Sequence, residues 1–510
     1  MLIKILLLVL FFASMITVGV MCKKHSKDSD GFVLGGRNVG PWLTAFAYGT
    51  SYFSAVIFIG YAGQFGFKYG ISATWIGIGN AIIGSLLAWV ILGRRTRLMT
   101  QHLDSSTMPE FFGKRFNSRA LKIAASIIVF VFLIPYTASL YNGLSRLFEM
   151  AFDIPYTVCI VAMAVITAVY VIIGGYMATA VNDFIQGLIM LVGIVAVVLA
   201  VLNLNGGFMG SLDALSKVND AAVSSSPGVF ASMFGPKPLE LLFVVILTSL
   251  GTWGLPQMVQ KFYSIKNEKQ IHKGTVISTL FAFVVAGGCY FLGGFGRLFV
   301  TEIGAGGYDA IIPTMLERLP DLLIAVVVIL VLSASMSTLS SLVLTSSTTL
   351  TYDLIKETIY KKMDDKKKLI IVRCFVLVFI AISSVIAIIQ YESSVTFIAQ
   401  LMGISWGALA GAFLGPFLCG LYFKKTSKFA VWVSFIFGSG LMIVNMLFRE
   451  IFPPFFQSPI NCGVIAMLFG LVMVPLISLF TQPKNKEEID AMFSCYEDTV
   501  EVSKKECLGD

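Results

Sequence analysis

A stretch of 22 residues, SASMSTLSSLVLTSSTTLTYDL (Ser333–Leu354), carries a hydroxyl group at more than half of its positions up to Thr351. On a helix, the following residues fall at i, i+3, i+4 and i+7 and share one face: Ala334, Ser337, Thr338 and Ser341, with Ser340 beside them. Such a face offers oxygen atoms without charge, which suits a hard cation such as Na⁺ when carbonyl groups of an unwound neighbouring helix supply further ligands. The alternative is that the hydroxyls donate to carbonyls of the preceding turn, which we expect for Thr345–Thr351.

Two other apolar runs are interrupted by residues that do not favour a regular helix. AFAYGTSYFSAVIFIGYAGQFG (Ala45–Gly66) contains Gly49-Thr50-Ser51 and then Ser54 near its middle. TSLGTWGLPQMVQ (Thr248–Gln260) contains two glycines and a proline, which distort a helix. Irregular backbone inside a membrane persists only within protein or beside a watery cavity, so both breaks are candidate binding positions.

One acidic residue, Asp183 in ATAVNDFIQG, is expected at the inner end of a membrane helix. A carboxylate at that place is a candidate cation ligand. The alternative is an interfacial residue that caps the helix.

The composition requires a membrane environment for these residues. Of 510 residues, 57% are hydrophobic and only 13% are charged, and many runs approach the ~20 residues needed to cross a bilayer as a helix. We therefore predict an all-α membrane protein with about 13 transmembrane helices. The predicted helices cover 3–22, 41–65, 70–92, 121–147, 154–174, 182–203, 238–262, 274–298, 320–352, 368–390, 394–421, 428–450 and 461–481.

The basic residues predict the orientation. When the connections are assigned to alternate sides, 28 of the 37 Lys and Arg residues lie on one side, which is therefore cytoplasmic. We predict a multi-pass protein of the plasma membrane with its amino terminus outside and its carboxyl terminus inside. The net charge of +8 reflects this topology, so no nucleic-acid partner is expected, and no obligatory protein partner is evident. The first 22 residues could instead be a cleaved signal peptide, but lysines follow the apolar run and no A-x-A site is present.

The two interrupted helices occupy corresponding positions. Each opens a run of five helices, and because five is odd the two runs have opposite orientations. Paired repeats of this kind, with broken leading helices, indicate a secondary transporter whose site lies near the bilayer midplane. The predicted organisation is a leading helix at 1–22, repeats at 41–203 and 238–421, two additional helices at 428–481 and a cytoplasmic tail at 482–510.

Four motifs together resemble the sodium:solute symporter family, which includes sodium/proline, sodium/pantothenate and sodium/sugar symporters. They are GGRNVGPW at 35–42, IIGGYMATAVNDFIQG at 172–187, GLPQMVQKFYSIKN at 254–267 and the hydroxyl-rich stretch. The resemblance spans about Gly35 to Gly420 and implies a LeuT-type inverted repeat of five plus five helices. It also implies Na⁺-coupled uptake of a small organic solute by alternating access.

The resemblance implies three groups of site residues. A first Na⁺ would be held by the carbonyls of Thr50, Phe53 and Ala334 and the hydroxyls of Ser337 and Thr338. A second Na⁺ would use Asp183, Ser340 and Ser341, together with Ser337. The solute would lie beside Ser54, Ile57, Asn80, Tyr136, Thr252 and Trp253.

The chain departs from the proline-type pattern at Tyr52, where those members have an acidic residue, and at Thr252, where they have an aromatic one. The acidic and amide groups of sugar-type members are also unmatched, with Thr74 and Ile57 near those positions. Neither proline nor glucose is therefore well matched. A small neutral or zwitterionic solute, such as an amino acid, or a monocarboxylate fits best, and a sodium/sugar-type symporter remains an alternative. So does H⁺ coupling with Asp183 as the carrier.

Two other classes of function are less consistent with the sequence. GISWG at Gly403–Gly407 matches the G-x-S-x-G of hydrolases, but that motif needs a strand, a turn, a helix and a nearby histidine. A channel would not need paired broken helices. We therefore expect a transporter and not an enzyme.

Overall fold

The computed structural model describes residues 2–23, 29–304, 307–359, 363–393, 398–481 and 485–497. Most of these residues are helical, and the named elements of the described chain include no strand. The start of the predicted helix 394–421 and parts of the predicted tail 482–510 lie outside the described residues.

Fifteen helical segments make up most of the fold. They are α1 (Leu2–Cys22), α2 (Pro41–Tyr52), α3 (56–69), α4 (74–102), α5 (Met108–Arg115), α6 (Arg119–Phe152), α7 (Tyr156–Asn203), α8 (Pro238–Leu250), α9 (Pro256–Ser264), α10 (Lys269–Gly293), α11 (Asp321–Thr349), α12 (Asp365–Ser393), α13 (Ile398–Tyr422), α14 (Lys428–Leu447) and α15 (Pro459–Phe480). α3 and α4 include π-helical turns, and a π-helical segment, Leu350–Ile355, directly follows α11.

The described chain has 10 helices that are long and apolar enough to cross a membrane, or 11 if the bent pair α8 and α9 counts as one span. This confirms the prediction of an all-helical membrane protein. The predicted number of 13 transmembrane helices stays a prediction. The two counts differ because Val56–His102 counts as one span where the ends of two helices were predicted, and so does α7, which is 48 residues long. At ~1.5 Å per residue it is about twice as long as a bilayer is thick.

α7 is bent where two separate helices were predicted. Gly175 adopts φ 57° and ψ −157° inside it, a conformation that side chains disfavour. A Cβ atom at Gly175 would also approach Phe32 at 2.7 Å. The expected loop between residues 174 and 182 is therefore a single glycine kink.

Two segments predicted as loops contain helices. Gly207–Ser216 is helical within the connection 203–237, and Lys486–Phe493 is helical within the predicted tail. The latter packs near Arg115, whose guanidinium carbon lies 5.0 Å from the centroid of the Phe493 ring. Burial lowers the pKa of Arg115 to about 10.

The side predicted to face the cytoplasm is closed by backbone pairing. The segment before α2 and the segment after α9 form a parallel bridge between Val39 and Ile265. Val39 N–H donates to Ser264 O at 3.1 Å, and Lys266 N–H donates to Val39 O at 3.0 Å. This pairing connects the start of α2 with the end of α9 on the predicted cytoplasmic side of both breaks.

Glycines bring α13, α14 and α15 into backbone contact. A Cβ at Gly407 would lie 2.8 Å from Gly463 Cα, and one at Gly415 would meet the carbonyl oxygen of Gly470. The four-residue spacing of Gly407, Gly411 and Gly415 places them on one face of α13, and this face makes the close contacts with α14 and α15.

We expect Gly415→Ala to destabilise the protein by about 1–3 kcal/mol, because its methyl group forces the α13 and α15 backbones apart. Gly440→Ala is the matched control, since nothing lies within 4 Å of a Cβ at that position in α14. Thermal unfolding of the detergent-solubilised variants, followed by fluorescence-detected gel filtration, measures the difference. Equal melting temperatures for the two variants would contradict the contact.

Candidate functional site

The first break frees a set of backbone carbonyl groups. α2 ends with the N–H of Phe53 donating to Gly49 O, and Phe53 itself is extended at φ −94° and ψ 132°. The N–H of Ala55 donates at 3.0 Å to the hydroxyl of Ser335 rather than to a carbonyl of its own helix. The next helix begins with the N–H groups of Ile57 and Phe58, both of which donate to Ser54 O. The carbonyls between Thr50 and Phe53 therefore lack the partners that a continuous helix would provide.

The hydroxyl of Thr338 lies among these carbonyls. Its oxygen is 3.3 Å from Thr50 O, 3.5 Å from Ser51 O and 3.1 Å from Phe53 O. It is also 3.1 Å from Ala334 O in its own helix. One hydroxyl has one proton to donate, so this cluster has more acceptors than donors. A small cation balances such an excess of oxygen atoms.

Further hydroxyl contacts join α2 to α11 around this cluster. Ser337 Oγ donates to Thr50 Oγ1 at 2.8 Å, and Thr50 Oγ1 donates to Phe46 O at 2.8 Å. Ser51 Oγ and Ser341 Oγ lie 2.9 Å apart. The structure thus brings together all five residues expected to hold the first Na⁺.

The second predicted cation group contains a basic residue that the sequence analysis did not select. Asp183 is fully buried, and neither of its oxygens has a hydrogen-bond partner among the described residues. Its closest charged neighbour is Lys261 of α9, whose Nζ lies 3.9 Å from Asp183 Oδ2 and 2.9 Å from Ser341 Oγ. Ser340 instead donates to Ser337 O at 2.8 Å.

The structure corrects two expectations about these charged residues. Asp183 does not cap a helix, because it lies inside α7 and well beyond the kink at Gly175. Lys261 lies at the end of the predicted helix 238–262 and is one of the 28 basic residues counted on the cytoplasmic side, but its side chain is only 3% exposed. Its place in the helix that follows the Gly-Pro break was the available signal for a buried position.

The inner part of the hydroxyl-rich stretch also differs from expectation. Thr351 donates to Ser347 O, four residues earlier, as predicted, but Thr345 donates to the Gln260 side chain. Four further hydroxyls have no hydrogen-bond partner among the described residues: Ser346, Ser347, Thr348 and Thr349. Back-bonding within the helix therefore explains only part of this segment.

The second break contains Thr252 and Trp253 and lies against Asn80, which are three of the six predicted solute residues. α8 ends at Leu250, a 3₁₀ turn covers Gly251–Gly254, and α9 begins at Pro256 after a bend of 47°. The Thr252 hydroxyl donates to Ser249 O at 2.8 Å, and the Ser249 hydroxyl donates to Asn80 Oδ1 at 3.0 Å. These contacts bring the second break against α4.

The remaining solute candidates are buried but are not all in direct contact. The ring of Tyr136 lies 5.8 Å from Trp406, which in turn lies 6.0 Å from Tyr52. Trp253 is held by a hydrogen bond of 3.0 Å from its indole N–H to Ile83 O. Ser54 and Ile57 lie at and just after the first break, and both are fully buried. The sequence analysis did not select Trp406, whose ring lies near the rings of both Tyr136 and Tyr52.

The solute group leaves several polar atoms available to a ligand. The hydroxyls of Ser54 and Tyr136 and the amide nitrogen of Asn80 are buried without hydrogen-bond partners in the described chain. All six predicted solute residues are uncharged. Chemically, the group can hydrogen-bond a small polar solute but cannot form an ion pair with it.

Comparisons with known proteins identify the family of the chain. The sequence profile of the sodium:solute symporter family matches residues 32–438. The chain is 28% identical to the osmoregulated proline transporter OpuE of Bacillus subtilis, over 90% of this chain and 93% of that protein. It is 29% identical to a sodium/proline symporter of Staphylococcus aureus, over 91% of this chain and 92% of that one.

Solved transporters share the fold. A substrate-bound, outward-open Na⁺-coupled sialic acid symporter superposes with a TM-score of 0.73 at 17% identity, covering 95% of this chain and 99% of that one. Mhp1, a nucleobase-cation-symport-1 family transporter in a closed conformation, gives 0.51 at 13% identity and covers 91% and 98% of the two chains. With the family profile spanning most of the chain and the relatives matching nearly all of it, the chain belongs to the sodium:solute symporter family and is a Na⁺-coupled solute transporter.

Proposed function

We propose that this transporter takes up a small solute bearing a carboxylate, such as an amino acid or a monocarboxylate, together with Na⁺ bound at the first break. The observation that carries the proposal is the single Thr338 hydroxyl among four carbonyl oxygens. We assign the first Na⁺ to the carbonyls of Thr50, Phe53 and Ala334 and the hydroxyls of Ser337 and Thr338.

The charge balance of the site supports a carboxylate. None of the five first-site residues or the six solute residues carries a charge. A lone cation in a buried site is costly unless a countercharge accompanies it. A solute carboxylate near the Na⁺ supplies this countercharge, so ion and solute stabilise each other. We therefore place the solute beside Ser54, Ile57, Asn80, Tyr136, Thr252 and Trp253.

Binding of Na⁺ is coupled to movement of the protein because the ligands of the ion come from two different helices. Na⁺ bound between α2 and α11 holds the broken helix against the hydroxyl-rich helix, which orders the solute site at the same break. Because each ligand stabilises the form that the other binds, the coupling is reciprocal. Each entering Na⁺ gains ~2.3 kcal/mol per 100 mV of inside-negative potential, which drives uphill uptake.

The backbone pairing between Val39 and Ile265 lies on the side predicted to be cytoplasmic. We propose that these two segments separate when the solute is released to that side. We propose the two inverted repeats at 41–203 and 238–421 as the moving framework, with 13 crossings, the amino terminus outside and the carboxyl terminus inside.

For the second site, we propose that Na⁺ and the Lys261 ammonium compete for Asp183 and Ser341. The ammonium already contacts Ser341 Oγ and lies beside the only carboxylate of the group. With Lys261 in this position, one Na⁺ accompanies each solute. A second ion, held by Asp183, Ser340 and Ser341, binds only when Lys261 moves away.

The primary test is uptake of labelled L-proline, other amino acids, pyruvate and glucose into proteoliposomes with and without an inward Na⁺ gradient. We expect Na⁺-dependent uptake of an amino acid or monocarboxylate. In Thr338→Ala and Ser337→Ala, the apparent Na⁺ affinity should fall about 10- to 100-fold, as expected for loss of a contact to a charged group worth ~1.5–3 kcal/mol.

Ser333→Ala is the matched control, because that hydroxyl lies one turn earlier in α11 and has no hydrogen-bond partner among the described residues. It should retain the native Na⁺ dependence. Uptake that ignores Na⁺ but follows a pH gradient and requires Asp183 would establish the H⁺-coupled alternative instead. Glucose as the preferred solute would establish the sugar-type alternative.

The competition at Asp183 gives a separate prediction. In Lys261→Gln the carboxylate loses its ammonium partner, so Na⁺ should take its place and the Hill coefficient for Na⁺ should rise from about 1 toward 2. The double variant Lys261→Gln/Asp183→Asn should return to about 1. An unchanged Hill coefficient in a folded, active Lys261→Gln protein would mean that no second ion binds there.

A further inference from the structure

The chain that follows the last membrane helix folds back onto the protein. The tail helix, Lys486–Phe493, has eight residues and is continued by a 3₁₀ turn that ends at Tyr496. Such a short helix is not stable alone in water, so it depends on the surface beneath it. Glu487 is exposed on its outer face. Four residues at i, i+3, i+4 and i+7 pack against the hydrophobic core of the protein: Ile489, Met492, Phe493 and Tyr496.

The tail helix is anchored to the end of α13. Lys424 Nζ lies 2.6 Å from Asp490 Oδ1, but both side chains are exposed, so this ion pair contributes little. The buried ring of Phe493 lies 5.0 Å from the guanidinium carbon of Arg115 in α5. Arg115 itself donates to Gly420 O of α13 at 2.9 Å. Phe493 thus packs on a surface where α5 is already joined to α13.

Tyr496 contacts a different helix. Its hydroxyl donates to Arg95 O of α4 at 3.3 Å, and its ring centroid lies 4.6 Å from the guanidinium carbon of the same arginine. The ring of Tyr422, at the end of α13, lies 4.1 Å from that carbon, and Arg95 donates to Leu421 O at 3.1 Å. One guanidinium group of α4 therefore contacts an aromatic ring of α13 and another of the tail. The tail strengthens the connection between α4 and α13.

The same end of α4 holds the segment that follows α9. Arg97 donates to Ile265 O at 2.6 Å, and Arg94 pairs with Glu268 at 2.7 Å. Ile265 is the residue that bridges to Val39 on the predicted cytoplasmic side. When this bridge opens, α4 must move with Ile265 or release it, whereas α13 is held to α14 and α15 by the glycine contacts. A connection between α4 and α13 therefore resists the opening.

We propose that the tail segment 485–497 is an inhibitory clamp, which by docking on α4 and α13 holds the predicted cytoplasmic side closed. Tyr496 is the residue through which the clamp reaches α4. The proposal rests on the proposed function, because there Val39 and Ile265 separate when the solute is released. A cation–π contact is weak, so the clamp shifts the balance between closed and open forms without preventing transport.

Two thiols can report release of the tail and opening of the protein separately. The native Cys495 is 7% exposed beside Tyr496, so its reactivity reports release of the tail. Ser264→Cys places a thiol at the end of α9, where the native side chain is fully buried and the carbonyl accepts from Val39 N–H. Its reactivity reports opening of the Val39–Ile265 bridge. Purified protein in lipid nanodiscs is reacted with N-ethylmaleimide, and mass spectrometry of proteolytic fragments measures each cysteine separately.

In the Ser264→Cys chain, Tyr496→Leu keeps an apolar side chain against the protein but removes the ring that contacts Arg95. We expect both thiols to react about 5-fold faster, as loss of one cation–π contact should shift the equilibrium. Tyr496→Phe retains the ring, so its rates should lie between those of the native residue and those of Tyr496→Leu. Glu487→Gln, on the exposed face of the same helix, is the matched control and should change neither rate.

A faster reaction of Cys495 in Tyr496→Leu with no change at Ser264→Cys would overturn the proposal, because the tail would then dock without holding the protein closed. Unchanged rates at both thiols would also overturn it, as would an equal increase in Glu487→Gln. Since no solute is present, these rates do not depend on the proposed function. Uptake by the native protein in sodium chloride against choline chloride tests that function separately, and there Tyr496→Leu should raise the maximal rate and keep the requirement for Na⁺.

Discussion

The site depends on carbonyl groups that a helix leaves without partners inside a membrane protein. Buried backbone oxygens must be satisfied, but at the first break the Ala55 N–H donates to the Ser335 hydroxyl and the Ile57 N–H donates to Ser54 O, so neither reaches the carbonyl four residues earlier. The hydroxyls of α11 contact these oxygens but cannot donate enough protons to satisfy all of them. In our proposal Na⁺ binds these backbone oxygens, and the side chains complete its site.

Much of this arrangement was predictable from the sequence. The periodicity of Ala334, Ser337, Thr338 and Ser341 defines a polar helix face, and the Gly and Pro residues in two apolar runs predict the breaks. The resemblance to a known family then pairs that face with the carbonyls of Thr50 and Phe53. The observed contacts between Thr338 and those carbonyls agree with this pairing.

Other features could not be read from the sequence because they depend on depth and on distant packing. Counting basic residues treats every lysine near a helix end as a loop residue, yet Lys261 points inward to Asp183. Hydropathy likewise predicted a loop where Gly175 makes a kink inside one helix. The hydroxyls of Ser346–Thr349 look like ordinary back-bonding groups until the structure shows them without such bonds.

The glycine contacts of α13 with α14 and α15 also bear on how motion in this protein can be observed. Backbones in such close contact leave no space for side-chain rearrangement, so these three helices should keep their mutual distances while other parts rotate. Spectroscopic labels on the lipid-facing side of this group would provide a fixed frame. Distances from that frame to α2 or α9 would then report the movement of the broken helices alone.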